Sequence, residues 1–273
     1  MEEKLAKVQY THSVSKDALR QLWEICFPED GDGFARFFLD NYYSPSQAIC
    51  IVHDSNDTVE SALYWLPCTY RIGDHRGTFL YIYAMGTHPT YRKQGNLRCM
   101  LEFMERHCLE HGFDGIVLHA MDTSKSSVER FGMKPLLTLE ERRYFQQDVQ
   151  AGDWCEGSFA LFQELRNRYL AGCTGCVYWE EQELRFVYED LRRDKKIRFF
   201  CEEDGIHYGI VSLSDDGYYI EETDCEWGLL RRISGPVVRC GPGKGSYGAH
   251  IKVYRKSLQE QDLCKLYFNL MMK

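Results

Sequence analysis

The chain has 273 residues, 44% hydrophobic and 14% aromatic, which is enough for packed cores and, at ordinary domain sizes, for about two domains. Its formal net charge of −8 argues against nonspecific binding to nucleic acid or an anionic membrane surface and favours a cationic substrate such as an amine. The 12 cysteines are scattered, many inside apolar runs such as Ala48-Ile49-Cys50-Ile51-Val52, so buried reduced thiols are expected rather than a disulfide framework.

The N-terminus, Met1-Glu2-Glu3-Lys4-Leu5-Ala6-Lys7, carries acids and no apolar core, and nowhere do 18 apolar residues run together. A soluble, cytoplasmic protein with no membrane partner is expected. Helices are expected over about Lys16–Cys26 and Gly33–Asn41, with Leu19, Leu22 and Trp23, then Phe34, Phe37 and Phe38, at helical spacing. Those aromatics are read as one wall of a cleft. Strands follow over about Gln47–His53, Thr58–Pro67 and Arg76–Met85, separated by turn chemistry in Asp54-Ser55-Asn56-Asp57 and Gly73-Asp74, and together make an antiparallel meander. After a basic turn come a helix over Gly95–His111, a buried strand over Gly115–Ala120, a short helix over Lys125–Phe131 and a strand near Leu139–Gln146. The composition turns polar at Gln150-Ala151-Gly152-Asp153, which sets an expected boundary between domains 1–149 and 150–273. Beyond it, helices over Gly157–Ala171 and Glu180–Arg193 and strands near Arg198–Glu203, Gly205–Ser214 and Gly217–Glu222 repeat the opening pattern. A closing strand over Gly248–Lys256 and a tail over Leu263–Met272 are expected to complete that second, reduced copy.

The richest stretch runs from Tyr81 to Leu97, where an apolar strand enters the basic turn Arg92-Lys93-Gln94-Gly95-Asn96 and then a helix with Leu97, Met100, Leu101, Met104 and Cys108 at steps of three and four. Amides at such a helix start and the positive end of its dipole attract an anion, each contributing roughly 0.3–1 kcal/mol where solvent reaches. Arg92 and Lys93 add full charges, and Gly95 lets the backbone approach closely. The stretch is suited to holding a diphosphate.

Arg92-x-x-Gly95-x-Leu97 after a strand resembles the acyl-coenzyme A signature of the GNAT superfamily of N-acetyltransferases, whose usual last position is Gly or Ala. Leu97 departs from that position in the way relatives of the enhanced intracellular survival acetyltransferases do. Val128-Glu129-Arg130-Phe131-Gly132-Met133-Lys134-Pro135 is similar to a second segment of the family, Tyr-x-Arg-Phe-Gly-Phe, which follows the fifth strand. The resemblance covers residues 5 to 147 well and the rest weakly. It implies an α/β (α+β) GNAT fold, a mixed and mostly antiparallel central sheet flanked by helices, followed by a smaller, degenerate GNAT-like α+β domain, as in tandem members. An unrelated α+β domain is the alternative for residues 150–273. The resemblance also implies acetyl-CoA as co-substrate, a small-molecule or peptide amine as acceptor, and direct transfer. A homodimer is an open option that the sequence itself does not decide. A noncatalytic acyl-CoA sensor is the competing function.

By the same resemblance, backbone amides of Ala84, Met85, Gly86 and Thr87 hold the pantetheine and the thioester carbonyl, while Arg92, Lys93, Gln94, Gly95, Asn96 and Leu97 hold the diphosphate. The family's tyrosine acid lines up with Val128, which has no proton to give. Ser124, Ser126 or Ser127 could substitute, as could water, because the departing thiolate belongs to a thiol of pKa about 8.5. The base is open as well. Tyr81 and Tyr83 share a face by alternation with Met85, Tyr83 could order a relay water, and His119 could accept a proton through water; packed aromatics and a core histidine are the plainer readings. Three other patterns are set aside, so no metal is expected. His107-Cys108-Leu109-Glu110-His111 ends the helix that the turn begins, Cys173-Thr174-Gly175-Cys176 lacks a second pair at zinc spacing, and Gly241-Pro242-Gly243-Lys244-Gly245-Ser246 lacks the first glycine and the hydroxyl of a P-loop.

Overall fold

The computed structural model describes residues 8–30, 33–53, 58–120, 124–146, 154–233, 235–242 and 247–269. The chain forms two compact units that are not two consecutive stretches: one takes in residues up to 67, 78–134 and 250–256, the other 68–77, 135–249 and 257 onward.

In the first unit β1 (Gln9–Tyr10), α1 (Lys16–Cys26), α2 (Phe34–Asn41), β2 (Ala48–Val52), β3 (Val59–Ile72), β4 (His75–Thr87), α3 (Asn96–His111), β5 (Gly115–Leu118) and α4 (Lys125–Arg130) follow the expected order. Ser15 caps α1 by accepting from the Ala18 amide at 3.2 Å. β1, β2 and β3 are antiparallel neighbours, whereas β4 and β5 run parallel, joined by α3 as a crossover. One face of the sheet, through Ile49, Ile51, Leu63, Trp65, Leu80 and Ile82, buries the stripe Cys99, Met100, Met104 and Cys108 of α3. Each such side chain taken fully out of water stabilises the unit by roughly 1.5–3 kcal/mol. Val128 of α4 lies wholly inside this cluster.

The second unit holds β6 (Lys134–Gln146), β7 (Trp154–Cys155), α5 (Phe159–Ala171), β8 (Gly175–Tyr178), α6 (Glu181–Arg193), β9 (Ile197–Glu202), β10 (Gly205–Ser214), β11 (Gly217–Thr223), α7 (Glu226–Leu230) and β12 (Gly235–Pro242). β9, β10 and β11 form an antiparallel meander, and β12 then lies parallel to β11, the same succession as β2 to β5. The five-residue α7 replaces the long crossover helix of the first unit. Strands β8 and β12 were absent from the sequence reading; the Cys173–Cys176 pattern is the run into β8, with Cys176 buried.

After β12 come β13 (Tyr247–Val253), α8 (Glu260–Leu263) and β14 (Tyr267–Phe268). Here one expectation needs correction. β13 was expected to close the second copy, but it pairs antiparallel with β5 through His250↔Leu118, Ile251↔Val117, Lys252↔Ile116 and Val253↔Gly115. In turn β6, which leaves the first unit after α4, pairs antiparallel with β12 from Gly235↔Gln146 to Pro242↔Leu139. Each unit thus completes its sheet with a strand from the far part of the chain. The P-loop-like residues 243–246 and the expected boundary at 150–153 lie outside the described residues.

Candidate active site

β4 outruns its parallel partner. The β4–β5 ladder pairs Phe79 with Gly115 and ends at Ile82↔Leu118, yet β4 continues to Thr87. Ala84, Met85, Gly86 and Thr87 therefore lie beyond the last β5 partner, on the open side of a splay. Within this extension the side-chain alternation slips by one residue. Ile82 and Met85, three apart, both pack in the α3-side core, while Tyr83 and Gly86, also three apart, both meet α1. The expected shared face of Tyr81, Tyr83 and Met85 is corrected accordingly. Such a slip is how a bulge re-aims a strand beside a ligand.

Gly86 is required by close approach. A Cβ there would stand 2.8 Å from Cys26 Sγ and 2.9 Å from its Cβ. Burial pushes the Cys26 thiol pKa up, against the pull of the neighbouring Arg92 guanidinium.

The turn that follows is short and strained. A 3-10 turn over Pro89–Tyr91 delivers Arg92, whose Nε donates to the Thr87 carbonyl at 3.1 Å. Lys93 has φ 61° and Gly95 φ 88°; a lysine in the left-handed region is uncommon and marks a backbone held for a purpose. The helical ladder of α3 begins with Cys99 N donating to Gly95 O at 3.0 Å, so the amides of Asn96, Leu97 and Arg98 precede it and face the turn. Arg92, Lys93 and Gln94 are exposed and Leu97 is half-buried. Cationic side chains, left-handed backbone and a helix start converge as an anion cradle.

Asn96 does more than the sequence reading assigned to it. Its side chain is buried, and Nδ2 donates to Glu60 Oε2 and to Ser61 Oγ, each at 3.0 Å. Those two acceptors are adjacent residues of β3 brought to one side by a bulge, since Val52 pairs with Val59 and Ile51 with Ser61, leaving Glu60 as the extra residue. Ser61 Oγ also donates to Thr87 Oγ1 at 3.0 Å, and the Glu60 carbonyl accepts from His88 N at 2.8 Å. The bulge ties the end of β4 and the start of α3 together. His53 Nδ1 stands 3.4 Å from the other carboxylate oxygen of Glu60. The visible signal was a lone carboxylate in the apolar run Val59-Glu60-Ser61-Ala62-Leu63.

Tyr83, His119 and Ser127 lie apart in the chain's elements. Tyr83 is half-buried in an aromatic cluster, with ring centroids 6.0 Å from Trp23 and 5.1 Å from Phe38. His119 lies just past the end of β5, edge-on to Tyr81 at 6.2 Å, and is half-buried rather than inside a core strand. Ser127 is in α4, where its carbonyl accepts from Phe131 N. Among the described residues no group of His, Cys, Asp or Glu is placed to hold a metal ion.

With this geometry in view, a family model for the acetyltransferase (GNAT) domain matches residues 8–135. Residues 8–135 are similar to a GNAT acetyltransferase domain. No curated protein matches the chain. Among solved structures, a probable N-acyltransferase from Enterococcus faecalis V583 has a TM-score of 0.68 at 13% identity, over 90% of this chain and 72% of its own. A GCN5-related N-acetyltransferase from Anabaena variabilis ATCC 29413 has a TM-score of 0.70 at 14% identity, over 90% and 72%. Eis1 from Mycobacterium abscessus has a TM-score of 0.61 at 12% identity, over 85% and 65%. At these identities the likeness is one of fold, and it extends well past the GNAT domain into the second unit.

Proposed function

We propose that the chain is a tandem-GNAT, acetyl-CoA-dependent N-acetyltransferase that moves an acetyl group directly to a small-molecule or peptide amine in the cytoplasm. The observation that carries this reading is the splay: β4 continues five residues past Ile82, its last β5 partner, and leads into the Arg92–Leu97 cradle. In the proposed assignment the amides of Ala84 to Thr87 bind pantetheine and polarise the thioester carbonyl. Arg92, Lys93 and the backbone from Gln94 to Leu97 take the diphosphate. The snug fit of Gly86 against Cys26 and the left-handed Lys93 support that assignment, because both hold backbone, not side chains, toward the ligand.

The acceptor nitrogen attacks the thioester carbonyl, the oxyanion collapses, the C–S bond breaks, and the proton lost by the amine ends on the coenzyme thiolate. Val128 is fully buried in the core, so α4 supplies no acid from that position. Water is the proposed proton donor to the thiolate, with Tyr83, His119 and Ser127 as side chains that can order it. The same buried valine favours the second reading, a noncatalytic acyl-CoA sensor. Free-thiol release from acetyl-CoA across a panel of amines separates the two. Turnover above the no-amine rate that disappears in Arg92→Ala supports the enzyme; tight binding with no turnover for any amine supports the sensor.

A further inference from the structure

Outside the acyl-transfer site, two thiols meet at the outer edge of the second unit's sheet. β7 pairs antiparallel with β9, Trp154 opposite Phe200 and Cys155 opposite Phe199. Cys201 lies two residues beyond Phe199 and so on the same face by strand alternation. The two sulfurs stand 3.8 Å apart, in van der Waals contact, in a chain whose cysteines are all free. Cys201 is exposed and Cys155 half-buried, so an oxidant in solution reaches the first while the second waits beside it. Arg232 Nη2 donates to the Cys201 carbonyl at 2.7 Å and brings a guanidinium close to the pair, while burial pushes the Cys155 thiol pKa up. A disulfide needs about 2.0 Å between sulfurs, and because Cys201 is the diagonal neighbour of Cys155, closing the gap draws the two-residue edge strand β7 toward β9.

We propose that Cys155 and Cys201 are a paired oxidation site, which closes an intramolecular disulfide on meeting hydrogen peroxide or a small-molecule disulfide. With peroxide, the Cys201 sulfur gives up its proton and attacks one oxygen, the O–O bond breaks, and one water leaves Cys201 as a sulfenic acid. The Cys155 sulfur then attacks the Cys201 sulfur, the S–O bond breaks, and the departing hydroxide leaves with the Cys155 proton as a second water. Two thiols lose two electrons and two protons, and peroxide is reduced to two waters. With a small-molecule disulfide, a mixed disulfide at Cys201 forms first, and its resolution by Cys155 releases the second small thiol. The bond ties β7 to β9 and closes a loop between residues 46 positions apart, which restrains the unfolded chain. The site is independent of acyl transfer, so its failure leaves the function proposed above untouched.

The test is limited peroxide oxidation of the full chain, alkylation of the remaining thiols and peptide mapping without reductant. The expected result is a linked pair of peptides carrying Cys155 and Cys201, a loss of two hydrogen masses from the intact protein, and an upward shift of Tm that dithiothreitol reverses. Cys155→Ser and Cys201→Ser each lose the linkage and the shift. Phenylarsine oxide, which bridges two adjacent thiols, is retained by the wild type and lost by either variant. The proposal is overturned if peroxide carries Cys201 to the sulfinic acid while Cys155 stays open to alkylation. It is equally overturned if Cys155→Ser gives the wild-type oxidation products.

Discussion

Gly86 shows how one missing side chain fixes a site. With Cys26 Sγ 2.8 Å from where a Cβ would stand, Gly86→Ala forces α1 and β4 apart and is expected to cost about 1–3 kcal/mol, with weaker acetyl-CoA binding. Cys26→Ala in the same chain removes the clash, so thermal denaturation and calorimetry of the double variant should return toward wild type; no recovery would mean the contact is not the cause. Asn96 is the polar counterpart. Asn96→Leu leaves the buried side of Glu60 without its 3.0 Å donor and should lower stability by about 1–3 kcal/mol while loosening the start of α3. Denaturant unfolding checks the first effect and acetyl-CoA affinity the second. Deeper still, Arg166 Nε donates to Glu222 Oε1 at 2.9 Å with both side chains essentially buried, and the hydroxyls of Tyr208 and Tyr267 donate to the same carboxylate. Arg166→Met strands that charge, and a loss of about 3–5 kcal/mol in an unfolding titration is expected.

At the scale of elements, what the sequence displayed was whatever has a local cause. Helices α1, α2, α3, α5 and α6 followed from apolar spacing, and the turn that opens α3 from Gly95. The slip of alternation between Tyr83 and Gly86 was illegible, because it comes from strand pairing and not from composition. The same holds for the bulge at Glu60, which only register reveals. Val128 was visible as a missing tyrosine, but the core that holds it was not. β13 was legible as a strand and misplaced, since nothing in Gly248–Lys256 says which neighbour it will pair. Its anchor is Lys252, whose Nζ lies 3.1 Å from a carboxylate oxygen of Glu105, donates to the Phe131 carbonyl at 3.1 Å, and sits 4.0 Å from the centroid of the Phe131 ring. Lys252→Met gives up all three and should destabilise the first unit by about 1–3 kcal/mol, read as a lower Tm that added salt mimics only in part.

For the whole molecule, the exchange of β6 and β13 makes each unit depend on the other's stretch of sequence. A chain ending before β13 leaves the β5 edge open, and it is expected to lose acetyl-CoA binding although the cradle residues are all present. Retention of full affinity by that shortened chain would show that β13 is dispensable. A pH dependence belongs to the second unit. Burial opposes the charged form of His207, but its hydrogen bonds with Asp204 and Asp224 outweigh it and raise the pKa above the ordinary imidazole value. Because the folded value is the higher one, the stabilisation is fully present below about pH 6.5 and is lost as the pH rises through the raised value. His207→Gln should flatten that part of a stability profile.

The most direct measurement is calorimetric titration of acetyl-CoA into the wild-type chain and into Arg92→Ala and Gly95→Glu. Gly95 caps α3 at φ 88° with open space around it, so a glutamate there adds backbone strain and a negative charge at the mouth of the cradle. The predicted result is micromolar binding by the wild type, weakened by Arg92→Ala and abolished by Gly95→Glu, with both variants still folded by circular dichroism. Unchanged affinity in folded variants would contradict the assignment of this turn as the coenzyme site.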